Sequence, residues 1–234
     1  NQTTGISPDY HSMDYYRQMV DSTDNVAWDN ILKELKVENN QYIYIGGRMD
    51  GENSYIVDGR QSGLGTLKDM GDDTLIAPNH SDYDIIYGGR GSDEIVGAGG
   101  DELILGGSGW DILKGLTGND RLFGGAGNDE LDGGFLLDSG VYIDYLNGGL
   151  DDDTYVLHHK NDIVIEKLNQ GIDTVLSFVS YKLTANVENL TLMSSANDAA
   201  TGNELVNTLT GNNDGNILKG MGNNDILVGN GGFD

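Results

Sequence analysis

The chain has 234 residues, with 36 Gly, 2 Pro and no Cys, and only 37% of it is hydrophobic. The absence of Cys excludes disulfides and thiolate metal sites, and no run of about 18 apolar residues is present to span a bilayer. The formal net charge is -25, from 38 acidic against 13 basic residues, which leaves no basic patch for nucleic acid or an anionic membrane surface and calls for compensating cations in any compact state.

Residues 1–40 read as helical. Ser7-Pro8-Asp9 is a helix start, with Ser as N-cap and Pro at the first helical position. Tyr10, Met13, Arg17 and Val20 follow at helical spacing. A second helix starts near Asp24 or Asn25, and Trp28, Ile31, Leu32 and Leu35 form its i, i+3, i+4, i+7 face. Two short helices cannot bury that face alone, so they are expected to cap the next domain or to end an upstream one. Residues 41–78 form an irregular, strand-rich lead-in. Its strand-like pieces are Tyr42-Ile43-Tyr44-Ile45, Ser54-Tyr55-Ile56-Val57 and Thr74-Leu75-Ile76, separated by Gly- and Asp-rich turns.

From residue 79 a nine-residue period takes over. Gly88-Gly89-Arg90-Gly91-Ser92-Asp93-Glu94-Ile95-Val96 fits G-G-x-G-x-D-x-U-x at every fixed position, as do residues 106–114 and 124–132. Between them, residues 97–105 carry Ala98 at position two and Glu102 at position six, and residues 115–123 carry Leu116 at position two but keep Asp120. The block runs over 79–156. Near 133–143 it is disturbed by an insertion of about six residues with Phe135, Leu136, Leu137 and Tyr142, after which Asp144 and the unit Gly148 to Val156 restore it. Residues 157–201 read as a β-rich spacer with alternating segments such as Asp173-Thr174-Val175-Leu176. A second, truncated block occupies 202–234, with Gly202, Gly211, Gly220 and Gly229 nine apart and Asn207, Asn216, Asp225 and Asp234 at position six.

A short strand plus a six-residue turn makes half a coil, and two nonapeptides make one coil of 18 residues. The fold class that follows is all-β, a right-handed parallel β-roll with a short helical N-terminal cap. The apolar residue at position eight then always points inward. Ile95, Ile104, Leu113, Leu122 and Leu131 would form the buried stack, joined later by Leu209, Leu218 and Leu227. The carboxylate at position six faces the gap between successive coils, which gives one column of Asp93, Asp111 and Asp129 and a second of Asp84, Glu102, Asp120 and Asp138. Stacked carboxylates with mixed carbonyl neighbours suit Ca²⁺, a hard ion that takes 6–8 oxygens. Zn²⁺ would want His or Cys.

These units resemble the RTX (repeats-in-toxin) calcium-binding β-roll over residues 79–156 and 202–234. The resemblance implies export by the type I secretion machinery, folding outside the cell on meeting Ca²⁺, and several bound ions. It also implies a ligand set of position-two and position-four carbonyls with the position-six carboxylate of one turn, and position-one and position-three carbonyls with the carboxylate of the turn 18 residues on. Carried over, one site would use Gly89, Gly91, Asp93, Gly106, Ser108 and Asp111. The next would use Gly107, Gly109, Asp111, Gly124, Ala126 and Asp129. The opposite edge would use Ala98, Gly100, Glu102, Gly115, Thr117 and Asp120. Asp82, Asp84, Gly97, Gly99, Asp138, Asp144, Asp153 and Asp225 complete the candidate ligands. Asp151 stands where position four expects Gly, and the uncharged Asn207 and Asn216 predict fewer or weaker ions in the second block.

Three functions are compatible with this reading. The first is a calcium-driven folding module of a secreted or cell-surface adhesin or toxin. The second is the RTX domain of a secreted protease, lipase or epimerase whose catalytic domain lies upstream. This chain itself carries no H-E-x-x-H and no G-x-S-x-G, and catalysis within it is not expected. The third is a glycan- or peptide-binding module that meets a host-cell or surface ligand through the insertion. The chain is expected to be a monomeric piece of a longer protein, and the pair His158-His159 is expected to be a solvated loop feature.

Overall fold

The structure, a computed structural model, describes residues 71–72, 74–77, 86–135, 142–196 and 198–233, together with the backbone of 42–45, 55–58 and 84–85. The helices expected within 1–40 lie outside the described residues. The strands are β1 (Tyr42–Ile45), β2 (Tyr55–Asp58), β3 (Thr74–Ile76), β4 (Asp84–Arg90), β5 (Glu94–Val96), β6 (Leu103–Ser108), β7 (Ile112–Lys114), β8 (Arg121–Ala126), β9 (Glu130–Asp132), β10 (Tyr145–Leu150), β11 (Thr154–Leu157), β12 (Ile163–Val164), β13 (Thr174–Ser177), β14 (Tyr181–Lys182), β15 (Asn189–Leu192), β16 (Ala199–Thr201), β17 (Thr208–Thr210), β18 (Ile217–Lys219) and β19 (Ile226–Val228). No helix occurs among the described residues.

Successive strands alternate between two faces. Strands β12-β10-β8-β6-β4-β1-β2 form one sheet and β19-β17-β15-β13-β11-β9-β7-β5-β3 the other, while β14-β16-β18 form a third, smaller sheet. Pairing is parallel throughout except between β1 and β2. Parallel neighbours that are never consecutive in the chain are the mark of a coil, and the fold is an all-β parallel β-roll.

The register follows the repeat. Leu103 pairs with Arg121 and Ile112 with Glu130, one 18-residue coil apart. The insertion adds its six residues to a single coil, so that Arg121 pairs with Tyr145 and Glu130 with Thr154. The extra length is absorbed outside the strands, and no side chain changes face.

The two faces are unequal. Strands β6, β8 and β10 run six residues because pairing continues through the glycine pair, with Gly107 opposite both Gly89 and Gly125. A side chain there would meet the neighbouring coil: a Cβ on Gly107, whose φ is +122°, would collide with the Gly89 carbonyl. Only glycine supplies both the left-handed backbone and the clearance.

Inward residues of both faces meet in one stack. Ile86, Ile95, Ile104, Leu113, Leu122, Leu131, Leu146 and Tyr155 are fully buried, and Val164, Val175, Leu190 and Leu209 continue the stack. Each such aliphatic side chain contributes on the order of 1.5–3 kcal/mol on burial. Leu218 is partly buried and packs against this stack, whereas Leu227 is 49% exposed, which corrects the expectation that Leu227 joins the core. Leu227 lies in β19, which has a neighbour on one side only.

Candidate metal centre

The position-six residues sit where the chain leaves one sheet and turns toward the other. Each is held by the coil before it. The Asp93 N–H donates to Asp111 Oδ1 at 2.8 Å, Asp111 N–H to Asp129 Oδ1 at 2.8 Å, and Asp129 N–H to Asp153 Oδ1 at 2.8 Å. The chain of bonds continues from Asp153 N–H to Asp173 Oδ1 at 2.9 Å and from Asp173 N–H to Glu188 Oε2 at 2.8 Å. On the other edge Glu102 N–H donates to Asp120 Oδ1 at 2.8 Å, Asp120 N–H to Asp144 Oδ1 at 2.9 Å, and Asp144 N–H to Asp162 Oδ1 at 3.3 Å. Asp93, Asp111 and Asp129 therefore share one continuous hydrogen-bonded file, and Glu102 and Asp120 a second that continues to Asp144 and Asp162.

The bonds use one oxygen of each carboxylate. The second oxygen of Asp120, Asp129, Asp153 and Asp173 is buried and has no hydrogen-bond partner. A buried, unpaired anionic oxygen is costly unless a cation or proton meets it. Burial accordingly pushes the Asp120 carboxyl up to about 9, Asp129 and Asp144 up to about 8, and Asp153 up to about 9. The negative charge of the neighbouring coil adds to the rise, as Glu102 does at Asp120 and Asp111 at Asp129.

Backbone carbonyls converge on the same space. A Cβ on Gly106 would fall on Asp111 Oδ2 and lie 2.6 Å from the Gly124 carbonyl oxygen. The same coincidence recurs at Gly88 with Asp93 Oδ2 and Gly106 O, at Gly115 with Asp120 Oδ2 and Gly133 O, and at Gly124 with Asp129 Oδ2 and Gly148 O. At Gly97 the carboxylate is Glu102 Oε2, 3.0 Å from such a Cβ, with the Gly115 carbonyl at 2.6 Å. The position-one glycine thus leaves a cradle shared by a carboxylate five residues on and a carbonyl one coil on. All donors are oxygen and the carboxylates are formally ionised at neutral pH when a cation is present, which fits a hard divalent ion such as Ca²⁺ and not Zn²⁺.

The remaining expected ligands are placed as follows. Gly89, Gly91, Gly107 and Gly109 take left-handed φ values of 110°, 116°, 122° and 137°. The carbonyls of Ser108, Ala126 and Thr117 each accept an inter-coil N–H, from Gly91, Gly109 and Gly100. Ala98 O accepts from Thr117 N–H, and Gly99 bridges Thr117. Asp151 adopts φ 75° and reproduces at position four the conformation of the glycines. Asp225 Oδ1 accepts from Asn207 N–H. Asp84 opens β4, and Asp82 and Asp138 lie outside the described residues. The place below Asp120 that was expected for Asp138 is filled by Asp144, because the inserted residues precede it.

The second block is built differently. Asn207 Oδ1 accepts from Asn203 N–H at 2.7 Å, and its Nδ2 donates to the carbonyls of Val187 and Glu188 at 3.0 and 3.1 Å. Asn216 Oδ1 accepts from Asn212 N–H at 2.7 Å while its Nδ2 donates to Asp198 O at 3.3 Å. These amides satisfy themselves within the protein. His158 is packed and not solvated, which corrects the expectation for the histidine pair: it stacks on Phe178 with centroids 4.6 Å apart, meets the edge of Phe135 at 5.5 Å, and lies 3.5 Å from Asp132. Sequence reasoning missed Asp162 and Asp173, which extend the files beyond the regular motif. Only an acidic residue just before a β-branched strand signals them.

A family model described as the RTX calcium-binding nonapeptide repeat, in four copies, matches residues 81–104, 105–135 and 201–234. Over 72 residues the chain is 39% identical to the endo-1,3-1,4-beta-glycanase ExsH of Rhizobium meliloti (strain 1021), a stretch that is 31% of this chain and 15% of that protein. No solved structure matches.

Proposed function

From the premise that this chain carries an RTX β-roll of calcium-binding repeats, we propose that its role is to fold on extracellular Ca²⁺ and to stiffen a larger exported protein. The observation that carries this reading is the set of buried carboxylates of Asp120, Asp129, Asp153 and Asp173, whose second oxygens lack hydrogen-bond partners. Without a cation, ionised carboxylates stacked at coil spacing repel one another and the roll is disfavoured. With Ca²⁺ bound to the folded state alone, binding free energy becomes folding free energy. A chain of charge -25 with 36 glycines would stay open where free Ca²⁺ is scarce and pass a type I secretion channel. It would close outside the cell, where the ion is plentiful. Lacking Cys, it draws on metal for the stabilisation that disulfides give other exported domains.

The roll is a structural module, so catalysis, if the parent has any, belongs to other parts of it. An adhesin or toxin is the first reading of the parent. The stretch shared with a glycanase favours a second, an exported enzyme acting on polysaccharide. A glycan or peptide contact at the insertion would suit either, through the exposed Phe135.

Far-UV circular dichroism during a Ca²⁺ titration of metal-free protein, with Mg²⁺ as control, tests the folding role. The expected outcome is a cooperative gain of β signal at about 10⁻⁴–10⁻³ M Ca²⁺, in the range of extracellular calcium modules, with no equivalent response to Mg²⁺. A metal-free chain that is already β-rich and indifferent to Ca²⁺ would overturn it.

A further inference from the structure

The coil that closes the first repeat block breaks the glycine pattern at one position. Tyr145 pairs with Ile163 and Leu146 with Val164, and Ile165 N–H continues the register by donating to Leu146 O. In that register Glu166 falls opposite Gly148, the position-one glycine. Gly148 itself cradles Asp153 Oδ2. The slot in which earlier coils place a glycine next to the site is here occupied by a side chain that brings its own carboxylate.

That carboxylate joins two others. One ligand oxygen each from Asp153, Glu166 and Asp173 lies within 4.8 Å of the other two, and all three residues are buried. Asp153 and Asp173 are each 1% exposed, and the Oδ2 of each has no hydrogen-bond partner. Glu166 is held in place by Tyr155, whose buried hydroxyl donates to Glu166 Oε1 and accepts from Gly148 N–H at 2.7 Å.

We propose that Asp153, Glu166 and Asp173 together hold one further calcium ion, at a site outside the nonapeptide motif that joins the end of the first repeat block to the residues after it. The inference rests on the reading of the roll as a calcium module. Its distinct content is the third carboxylate. An all-oxygen set with three anionic groups suits a hard divalent ion, and affinity at such sites rises with ligand charge count. Asp173 lies in the turn before β13 and Glu166 follows β12, so an ion here ties both sheets of the closing coil to Asp153 before β11.

The test is the number of ions bound to the whole chain, measured by equilibrium dialysis with Ca²⁺ on wild type and Glu166→Gln. The variant is expected to bind one ion fewer while keeping the β signal in calcium. An unchanged ion count and affinity would overturn the proposal. Should Glu166→Gln fail to fold, Tyr155→Phe keeps all three carboxylates and still reports. Tb³⁺ bound by wild type should emit on tyrosine excitation, and Tyr155→Phe should lose part of that emission with no loss of bound ions. Unchanged emission would overturn the proposal. Failure of this inference is separable from failure of the proposed function: wild-type protein that folds on Ca²⁺ while Glu166→Gln keeps the full ion count sinks the extra site alone.

Discussion

At Asp120 and Asn207 one slot of the repeat is filled by side chains of nearly equal shape and opposite requirement. Asp120 receives the Glu102 N–H on Oδ1 and leaves Oδ2 buried with no partner. Asn207 receives an N–H on Oδ1 and spends its amide hydrogens on Val187 O and Glu188 O. The carboxylate must be met by a cation, whereas the amide bridges adjacent coils unaided. Replacing Asn207 by Ala would strand the Asn203 N–H and take one of two donors from each carbonyl, since Val187 O keeps Asn203 Nδ2 and Glu188 O keeps the Thr208 N–H, at a cost of about 1–3 kcal/mol for the one unsatisfied group. Urea unfolding at saturating Ca²⁺ should show the Asn207→Ala midpoint falling, and further Ca²⁺ should not restore it. Recovery with added Ca²⁺ would mean that the slot holds metal after all. That Asn lacks the charge for an ion is legible in the sequence. Its partners are not, since Val187 and Glu188 lie 20 and 19 residues earlier, in coils whose length no motif announces.

Among the elements, the turns between sheets carry the strain. Regular units place Gly at position two, with φ of 110°, 122° and 118° at Gly89, Gly107 and Gly125. Residues 115–123 place Leu116 there, and it keeps the left-handed backbone with φ 80°. A side chain in that region costs on the order of 1–2 kcal/mol, and Leu116 recovers little by burial, being 42% exposed. Leu116→Gly should therefore stabilise the calcium-loaded roll by about 1 kcal/mol, read as a higher urea midpoint with an unchanged slope. A lower midpoint would show that Leu116 packs in a way its exposure hides. The nine-residue period was enough to place the apolar stack from Ile95 to Leu131, the carboxylates of the regular units and the six-residue insertion, but it put Asp138 where Asp144 stands. It could not place Asp162, Asp173 or Glu166. Beyond β10 the coils are held by hydrogen bonds across 18, 20 and 15 residues, and a register that changes from coil to coil leaves no period to read. Nor could it show that pairing runs straight on through residues 157–201, because alternating strands look the same in a separate spacer and in a continuing coil.

For the whole molecule, charge couples the fold to both calcium and protons, and the sign can be worked out. In the metal-free fold Asp120, Asp129, Asp144 and Asp153 are raised by burial to about 9, 8, 8 and 9, against about 3.9 for Asp in an unfolded chain. The folded state then holds more protons than the unfolded one, and stability falls as pH rises. The contribution is complete below about pH 4 and is lost as pH climbs through 8 to 9. General repulsion at a net charge of -25 acts in the same direction, since protonation also reduces it. Calcium reverses the dependence: it requires ionised carboxylates and competes with protons for the same oxygens. Metal-free protein taken from pH 9 to pH 5, short of the pI near 4.1, should gain β signal in far-UV circular dichroism. Over the same range the Ca²⁺ concentration needed to saturate the sites should rise. A metal-free spectrum that stays flat with pH would mean that the carboxylate files are not what opposes folding, and the load would then fall on the cost of ordering so many glycines.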